Sequence, residues 1–296
     1  MDIANLRAFA AIADLGSFSA AARRLHLTQP AISKRIASLE QQLGTPLFDR
    51  IARRVELTEA GRALLAEVPR VEHSIDCALR AVRDMEGETS GPLRLATSHH
   101  MGLHRLPPVL SQFQSDYPAV QLDIEFLDSE QAYDLLRAGT IELAVVTLAP
   151  GNVSQLTSEP LWVDQLEVMV STTHPLREAH EVLPERLLQY PSVLPGMDTF
   201  TGQIVRRHFE RGDQQLRLRL STNYLETLRM MAAVGLGWTV LPGSMAGPDL
   251  HVIEVADTAL TRTLGLVHHG ERSLSRAAAA FMELVRAEAS GSCRRA

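Results

Sequence analysis

Ala21-Ala22-Arg23-Arg24-Leu25-His26-Leu27-Thr28-Gln29-Pro30-Ala31-Ile32-Ser33-Lys34-Arg35-Ile36 reads as two helices joined by a tight turn at His26-Leu27. Thr28 suits the N-cap of the second helix, and Pro30 falls in its first turn, where a missing N–H has no intrahelical bond to lose. That helix places Ile32, Ile36, Leu39 and Leu43 on one face and intersperses Ser33, Lys34 and Arg35 on the others. Upstream, Leu6, Phe9, Ala10 and Ala13 recur at helical spacing, Gly16 stops that helix, and Ser17 or Ser19 can cap the next. Downstream, Gly44 ends the third helix, and Arg53-Arg54-Val55-Glu56-Leu57 reads as half of a short hairpin.

A helix whose first turns are polar and whose far face is apolar is the layout that enters the major groove of DNA. Gln29, Ser33 and Lys34 suit base edges and phosphates, with Gln matching adenine and Lys guanine. Ser17, Thr28 and the first N–H groups of each helix suit phosphate. The 296-residue chain has a net charge of -6, but residues 1–62 hold nine Lys+Arg against six Asp+Glu, so they net +3 and the remainder -9. A local basic patch is what phosphate requires, so the charge of the whole chain decides nothing.

Residues 3–62 resemble the DNA-binding domain of LysR-type regulators. The matching residues are Phe18-Ser19-Ala20-Ala21-Ala22, Leu25, Thr28-Gln29-Pro30-Ala31-Ile32-Ser33, Leu39-Glu40, Leu43-Gly44, Pro46-Leu47-Phe48, Arg50 and Leu57-Thr58-Glu59-Ala60-Gly61. The resemblance implies an all-α winged helix-turn-helix that reads DNA with Gln29, Pro30, Ser33 and Lys34 and inserts Arg53 and Arg54 of the wing into the minor groove; Arg35 joins the DNA-facing set. The wing tip, commonly Gly in that family, is Ile51-Ala52 here.

Leu64, Val68, Val71, Ile75, Ala78, Val82 and Met85 are spaced as a heptad seam on a long helix. One helix cannot bury such a stripe, so a homodimer is expected; family resemblance extends this to a homotetramer. Pro69 conflicts with the pattern and is expected to kink the helix near Leu65 or to start a second one. Gly87-Glu88-Thr89-Ser90-Gly91-Pro92 reads as a hinge.

Beyond it, short apolar strands alternate with helices, which predicts a largely parallel α/β sheet with ligands at the strand C-termini. A single helix is expected from the first strand's end to about Ser115. Thr97-Ser98-His99-His100 follows Leu93–Ala96, Thr199-Phe200-Thr201-Gly202 opens a second helix, and Thr147 ends Leu143–Val146. Hydroxyls and free N–H groups at such junctions suit a carboxylate or sulfate. Leu106-Pro107, Phe113, Tyr117-Pro118, Gly139, Glu142-Leu143-Ala144 and Gly235-Leu236-Gly237 resemble the LysR effector domain, which implies a two-lobed fold like that of periplasmic solute-binding proteins. Leu93–Thr97 with Ser98-His99, and Thr199–Gly202, look most like the regulators of cysteine biosynthesis and sulfur assimilation. That likeness implies a small-anion site on Ser98, His100, Thr147 and Thr201, with His100 standing where a hydroxyl is usual; Thr97, His99, Thr199 and Asn223 complete the expected effector set.

The expected division is 1–62 for DNA binding, 63–90 for the linker and 91–296 for effector binding, with one lobe over about 91–162 and 266–290 and the other over about 163–265. The partners this predicts are double-stranded DNA, a small, anionic effector, other copies of the chain and RNA polymerase, with no membrane. No run of eighteen apolar residues occurs, and Met1 to Ala13, with Asp2 and Arg7, does not read as a secretory leader. Cys77 and Cys293 suggest no disulfide framework, so a cytoplasmic setting is expected. No Gly-rich phosphate loop or Gly-x-Ser-x-Gly elbow appears, so no catalytic residues and no cofactor are expected. His99, His100 and His104 lack a third kind of ligand in sequence, and no metal site is expected. The competing classes, a solute-binding protein or an enzyme on the same α/β domain, leave residues 1–62 without a purpose.

Overall fold

The computed structural model describes residues 2–51, 54–83, 89–179, 181–210 and 215–292. The chain forms two compact units, Met1–Met85 with Ala138–Thr140, and Glu86–Arg137 with Ile141–Ala296.

The first unit runs α1 (Ile3–Leu15), α2 (Phe18–Arg24), α3 (Gln29–Leu43), β1 (Phe48–Ile51), β2 (Arg54–Leu57) and α4 (Glu59–Arg83). Asp2, Ser17 and Thr28 cap the first three helices by accepting the N–H groups of Ala4, Ala20 and Ala31. Gly44 closes α3 at φ +70°, a conformation that costs Gly little and other residues more. The apolar faces meet in a core of Leu6, Phe9, Ile12, Ile32, Ile36, Leu39 and Phe48. β1 and β2 pair antiparallel, with Phe48 opposite Leu57.

α4 corrects one expectation. It runs unbroken through Pro69, so no second helix starts there. Pro removes a single N–H from the ladder, and the apolar contacts on either side hold the helix together: Val68 is buried, and Leu64, Leu65 and Val71 pack on the same core. The first half of the heptad seam is therefore spent inside its own unit. The side chains of Cys77, Ala78 and Val82 lie outside the described set, as do Met85, Gly87, Glu88 and Cys293.

The second unit contains β3 (Gly91–Thr97), α5 (His99–His104), α6 (Pro107–Asp116), β4 (Val120–Phe126), α7 (Ser129–Ala138), β5 (Leu143–Thr147), β6 (Leu156–Ser171) and α8 (Pro184–Leu187). It continues with β7 (Ser192–Leu194), α9 (Phe200–Phe209), β8 (Leu218–Ser221), α10 (Leu225–Ala233), β9 (Thr239–Pro242), β10 (Leu250–Ile253), β11 (Leu260–His269) and α11 (Arg276–Ser292). The single helix expected up to Ser115 is two, α5 and α6. Pro107-Pro108 starts the second, because proline fits a first turn and not a helix interior.

The sheet is mixed, not largely parallel. Its order is β10-β6-β11-β5-β3-β4, with β9 also on β6. β3 pairs parallel with β4 and β5, while β11 runs antiparallel to β5 and β6, and β6 runs antiparallel to β9 and β10. The cause is the 16-residue β6, of which only Leu166–Val170 was legible as a strand. It leaves the first lobe, crosses to the second, and is met by the returning β11.

Both lobes are layered. β5 puts Leu143 and Val145 into a core with Leu93, Leu95, Phe113 and Phe281, and sends Ala144 and Val146 to the opposite face with Tyr133 and Leu136. A strand covered on both faces reads as a continuous apolar run. In the second lobe Leu166, Val168 and Val170 pack with Phe209 and Trp238, while Met169 faces Leu225, Leu228 and Leu241. Where the two strands cross between lobes, Asp164 sits directly opposite Arg262.

Candidate functional site

In the first unit, Thr28, Gln29, Pro30 and Lys34 are exposed at the start of α3, while Ser17, Ser33 and Arg35 are half-buried. Gln29 Nε2 donates to Ser33 Oγ at 3.3 Å, which couples two of the groups expected at base edges. The Ser17 and Thr28 hydroxyls already cap their helices. Arg35 Nη1 donates to the Ala4 carbonyl at 3.4 Å, bracing α3 on α1. Arg53 and the side chain of Arg54 lie outside the described residues.

In the second unit a cleft of about 170 Å³ lies between the lobes. Ser98, His99 and His100 open α5 on one side; Thr199 and Thr201 at α9, and Asn223 before α10, face them; Thr147 lies at the end of β5. These seven of the expected effector residues line the cleft. Thr97 does not. Its side chain points into the sheet, fully buried, and its hydroxyl donates to the Val145 carbonyl at 2.8 Å. One step along a strand reverses the face, so Thr97 and Ser98 part company.

Several hydroxyls are already committed. Thr199 caps α9 through the Gly202 N–H at 3.0 Å and donates to the Gly196 carbonyl at 2.7 Å. Ser98 holds the N-cap position of α5 but makes no cap hydrogen bond. Gly202 is required where it stands, since a Cβ there would meet the Gly196 carbonyl oxygen at 1.9 Å.

Polar contacts cross the cleft from lobe to lobe. Asn223 Nδ2 donates to Asp128 Oδ2 at 2.6 Å while Asn223 Oδ1 accepts the Gly196 N–H at 2.9 Å. Glu130, opening α7, accepts the Phe200 N–H at the start of α9. A carboxylate on a helix N-terminus is favourable, yet burial holds the Glu130 carboxyl above its usual range despite this bond. His104 and Glu226 meet at 2.9 Å. Aromatic rings close one side, with His99 edge-on to Phe126 at 6.1 Å and to Tyr224 at 5.1 Å.

Behind the cleft, Arg262 donates twice to Asp164 Oδ2, at 3.1 Å from Nε and 2.8 Å from Nη2. Arg105 Nη2 reaches Asp164 Oδ1 at 3.4 Å. Burial pulls Arg262 below its ordinary range, and the Asp164 carboxylate opposes that pull. Burial, aided by Arg262, lowers His100 to about 4, so its ring is neutral at pH 7.

Asp128, Glu130, Phe200, Tyr224, Glu226 and Arg262 complete the site. Tyr224, beside Asn223, and Phe200, within Thr199–Gly202, belong to stretches the sequence already points to, while Asp128, Glu130 and Glu226 stand within a few residues of strand ends, so a strand-end rule applied to every loop would have found them. Arg262 gives no such signal. A group able to hold a metal also emerges, because Glu226 supplies the ligand that His100 and His104 lack in sequence. No helix among the described residues is long and apolar enough to cross a membrane.

Two family models match the chain: "Bacterial regulatory helix-turn-helix protein, lysR family" over residues 3–62 and "LysR substrate binding domain" over residues 86–290. An uncharacterized HTH-type transcriptional regulator of Azotobacter vinelandii is 61% identical over 108 residues, 36% of this chain and 75% of that protein. A probable RuBisCO transcriptional regulator of Synechocystis is 27% identical, covering 95% of this chain and 84% of its own length. The crystal structure of full-length CbnR complexed with its target DNA has a TM-score of 0.69 at 23% identity, over 97% of this chain and 100% of that one. The expected kinship with cysteine and sulfur regulators gains no support from these relatives. The short motifs behind it, Leu93–Thr97 and Thr199–Gly202, include residues the fold itself demands, Thr97 for the sheet and Gly202 for the packing of α9. The matched regulatory domains also set aside an enzyme. With its helix-turn-helix and its two-lobed effector-binding domain both matched, the chain belongs to the LysR family of DNA-binding transcriptional regulators.

Proposed function

We propose that a small anion enters the cleft, displaces the Glu130 carboxylate from the N-terminus of α9 and so controls DNA binding. The observation that carries this reading is the Glu130–Phe200 hydrogen bond. A tethered carboxylate from one lobe already occupies the helix end of the other, and its buried charge is poorly hosted there. A free carboxylate taking its place would exchange one lobe-to-lobe contact for a ligand, shifting the population between lobe arrangements. Ser98, whose hydroxyl is not spent on a cap, and Thr201 are the side chains assigned to the ligand; His99, His100, Thr147, Thr199 and Asn223 shape the cleft.

In this reading residues 1–62 bind double-stranded DNA through Gln29, Pro30, Ser33 and Lys34, with Ser17, Thr28, Arg53 and Arg54 on phosphate or the minor groove; Arg35 is a brace. Residues 63–90 link to the effector domain at 91–296. A homodimer or homotetramer forms through the part of α4 beyond Val71, and the assembly acts on RNA polymerase in the cytoplasm.

The carboxylates Asp128 and Glu130 support a second reading, a cationic or neutral polar effector that uses them as acceptors. Ligand-dependent gel shifts on wild type and Glu130→Gln separate the two. An anion binds the variant more tightly, and a cation binds it more weakly. Failure of every small carboxylate, sulfate and amine to change operator affinity or melting temperature refutes both.

A further inference from the structure

We infer that His100, His104 and Glu226 form a binding site for one divalent transition-metal ion of the zinc type, bridging the two lobes at the edge of the cleft. The sequence offers two imidazoles one helical turn apart on α5, which places them on one face of that helix. The fold brings Glu226 from α10, in the other lobe, against both. One ligand atom from each residue lies within 4.8 Å of the others. Glu226 Oε1 is 2.9 Å from His104 Nε2 and 3.9 Å from His100 Nδ1. Bonds of about 2.0–2.1 Å at tetrahedral angles separate neighbouring ligands by about 3.3 Å, which those two distances bracket.

The plain alternative is a surface ion pair between His104 and Glu226. It leaves two buried atoms unexplained. His100 is 7% exposed, and its Nδ1, facing Glu226, has no hydrogen-bond partner among the described residues; neither has Glu226 Oε2. A polar atom buried without a partner is rare and costly in native proteins. A cation coordinated by Nδ1 and the carboxylate supplies what both lack. The opposite ring nitrogen, Nε2 of His100, lies 3.9 Å from Asp164 Oδ2, an electrostatic neighbour rather than a hydrogen-bond partner. The nearby Arg262 charge is met by Asp164. Two imidazoles and one carboxylate suit zinc, nickel or cobalt rather than calcium or magnesium. The three protein ligands leave a fourth position for water.

The test uses untagged, metal-stripped, full-length protein. Cobalt(II) is titrated in and followed by its visible d–d absorption, and zinc binding is measured by calorimetry, in wild type, His104→Gln and Glu226→Gln. The expected result is one ion per chain with micromolar or tighter affinity, a tetrahedral cobalt spectrum, and roughly tenfold or greater weakening in each variant. His104 and Glu226 are both partly exposed, so either change leaves the cores intact. Absence of a cobalt spectrum, or full affinity retained in either variant, overturns the assignment. None of these readouts depends on the effector or on DNA.

Discussion

Replacing Asp164 with alanine leaves the Arg262 guanidinium, 5% exposed, without its principal partner. At 2.8 Å and an effective dielectric of about 20 the lost attraction is about 6 kcal/mol gross. Part of that merely offsets desolvation, and breaking one side of a buried pair costs about 3–5 kcal/mol net. Arg105 also faces Asp164, so the substitution concentrates uncompensated positive charge where β6 and β11 cross. For a unit of this size each kcal/mol moves the melting temperature by about 2–4 °C, so the effector-binding unit should melt about 6–20 °C lower. Scanning calorimetry on the full-length chain is the assay, because its two units need not unfold together. The double variant Asp164→Leu with Arg262→Met should recover most of the loss, since burying two apolar chains incurs no charge desolvation. If Asp164→Ala melts within about 2 °C of wild type, the rung does not hold a buried charge and the reasoning fails.

Lys34→Ala should weaken operator binding and lower the slope of log affinity against log salt by about one phosphate contact, as measured by fluorescence anisotropy across a salt series. Gly202→Ala should displace the Gly196–Met197 backbone, because the added methyl meets a carbonyl oxygen at 1.9 Å; lost effector response with DNA binding retained is the outcome to look for. Glu130 is held above its unfolded value of 4.5, so its contribution is fully present below that pH and lost as pH rises through the folded value. Denaturation of wild type and Glu130→Gln from pH 4 to 7 should therefore show wild type losing ground to the variant as pH rises, and parallel curves would contradict it.

The helix-turn-helix was legible because its signals are local. Caps at Ser17 and Thr28, Pro30 in a first turn, and glycines at positions 16 and 44 all act within a few residues of where they stand. β5 was equally plain, an apolar run that the sheet covers on both faces. β6 was read at a third of its length, since its first ten residues alternate with exposed polar groups and resemble a loop. The cleft was half visible. Junction hydroxyls such as Ser98 and Thr201 announce themselves, but the contact of His104 with Glu226 joins residues 122 apart, and no local pattern encodes that meeting. The heptad seam is ambiguous for a related reason. Periodicity shows that a stripe is covered, and it is silent on whether the cover is another chain or, as for Val68, the chain's own core.

β6 is also a constraint on how this chain tolerates insertions and deletions. Trp162, Asp164, Leu166 and Val168 are buried in alternation, with Trp162 serving one lobe's core and Leu166 and Val168 the other's. Parity is thus shared between lobes through a single stretch of backbone. Adding one residue between positions 162 and 166 would turn every downstream side chain inside out, whereas adding two would only lengthen the span.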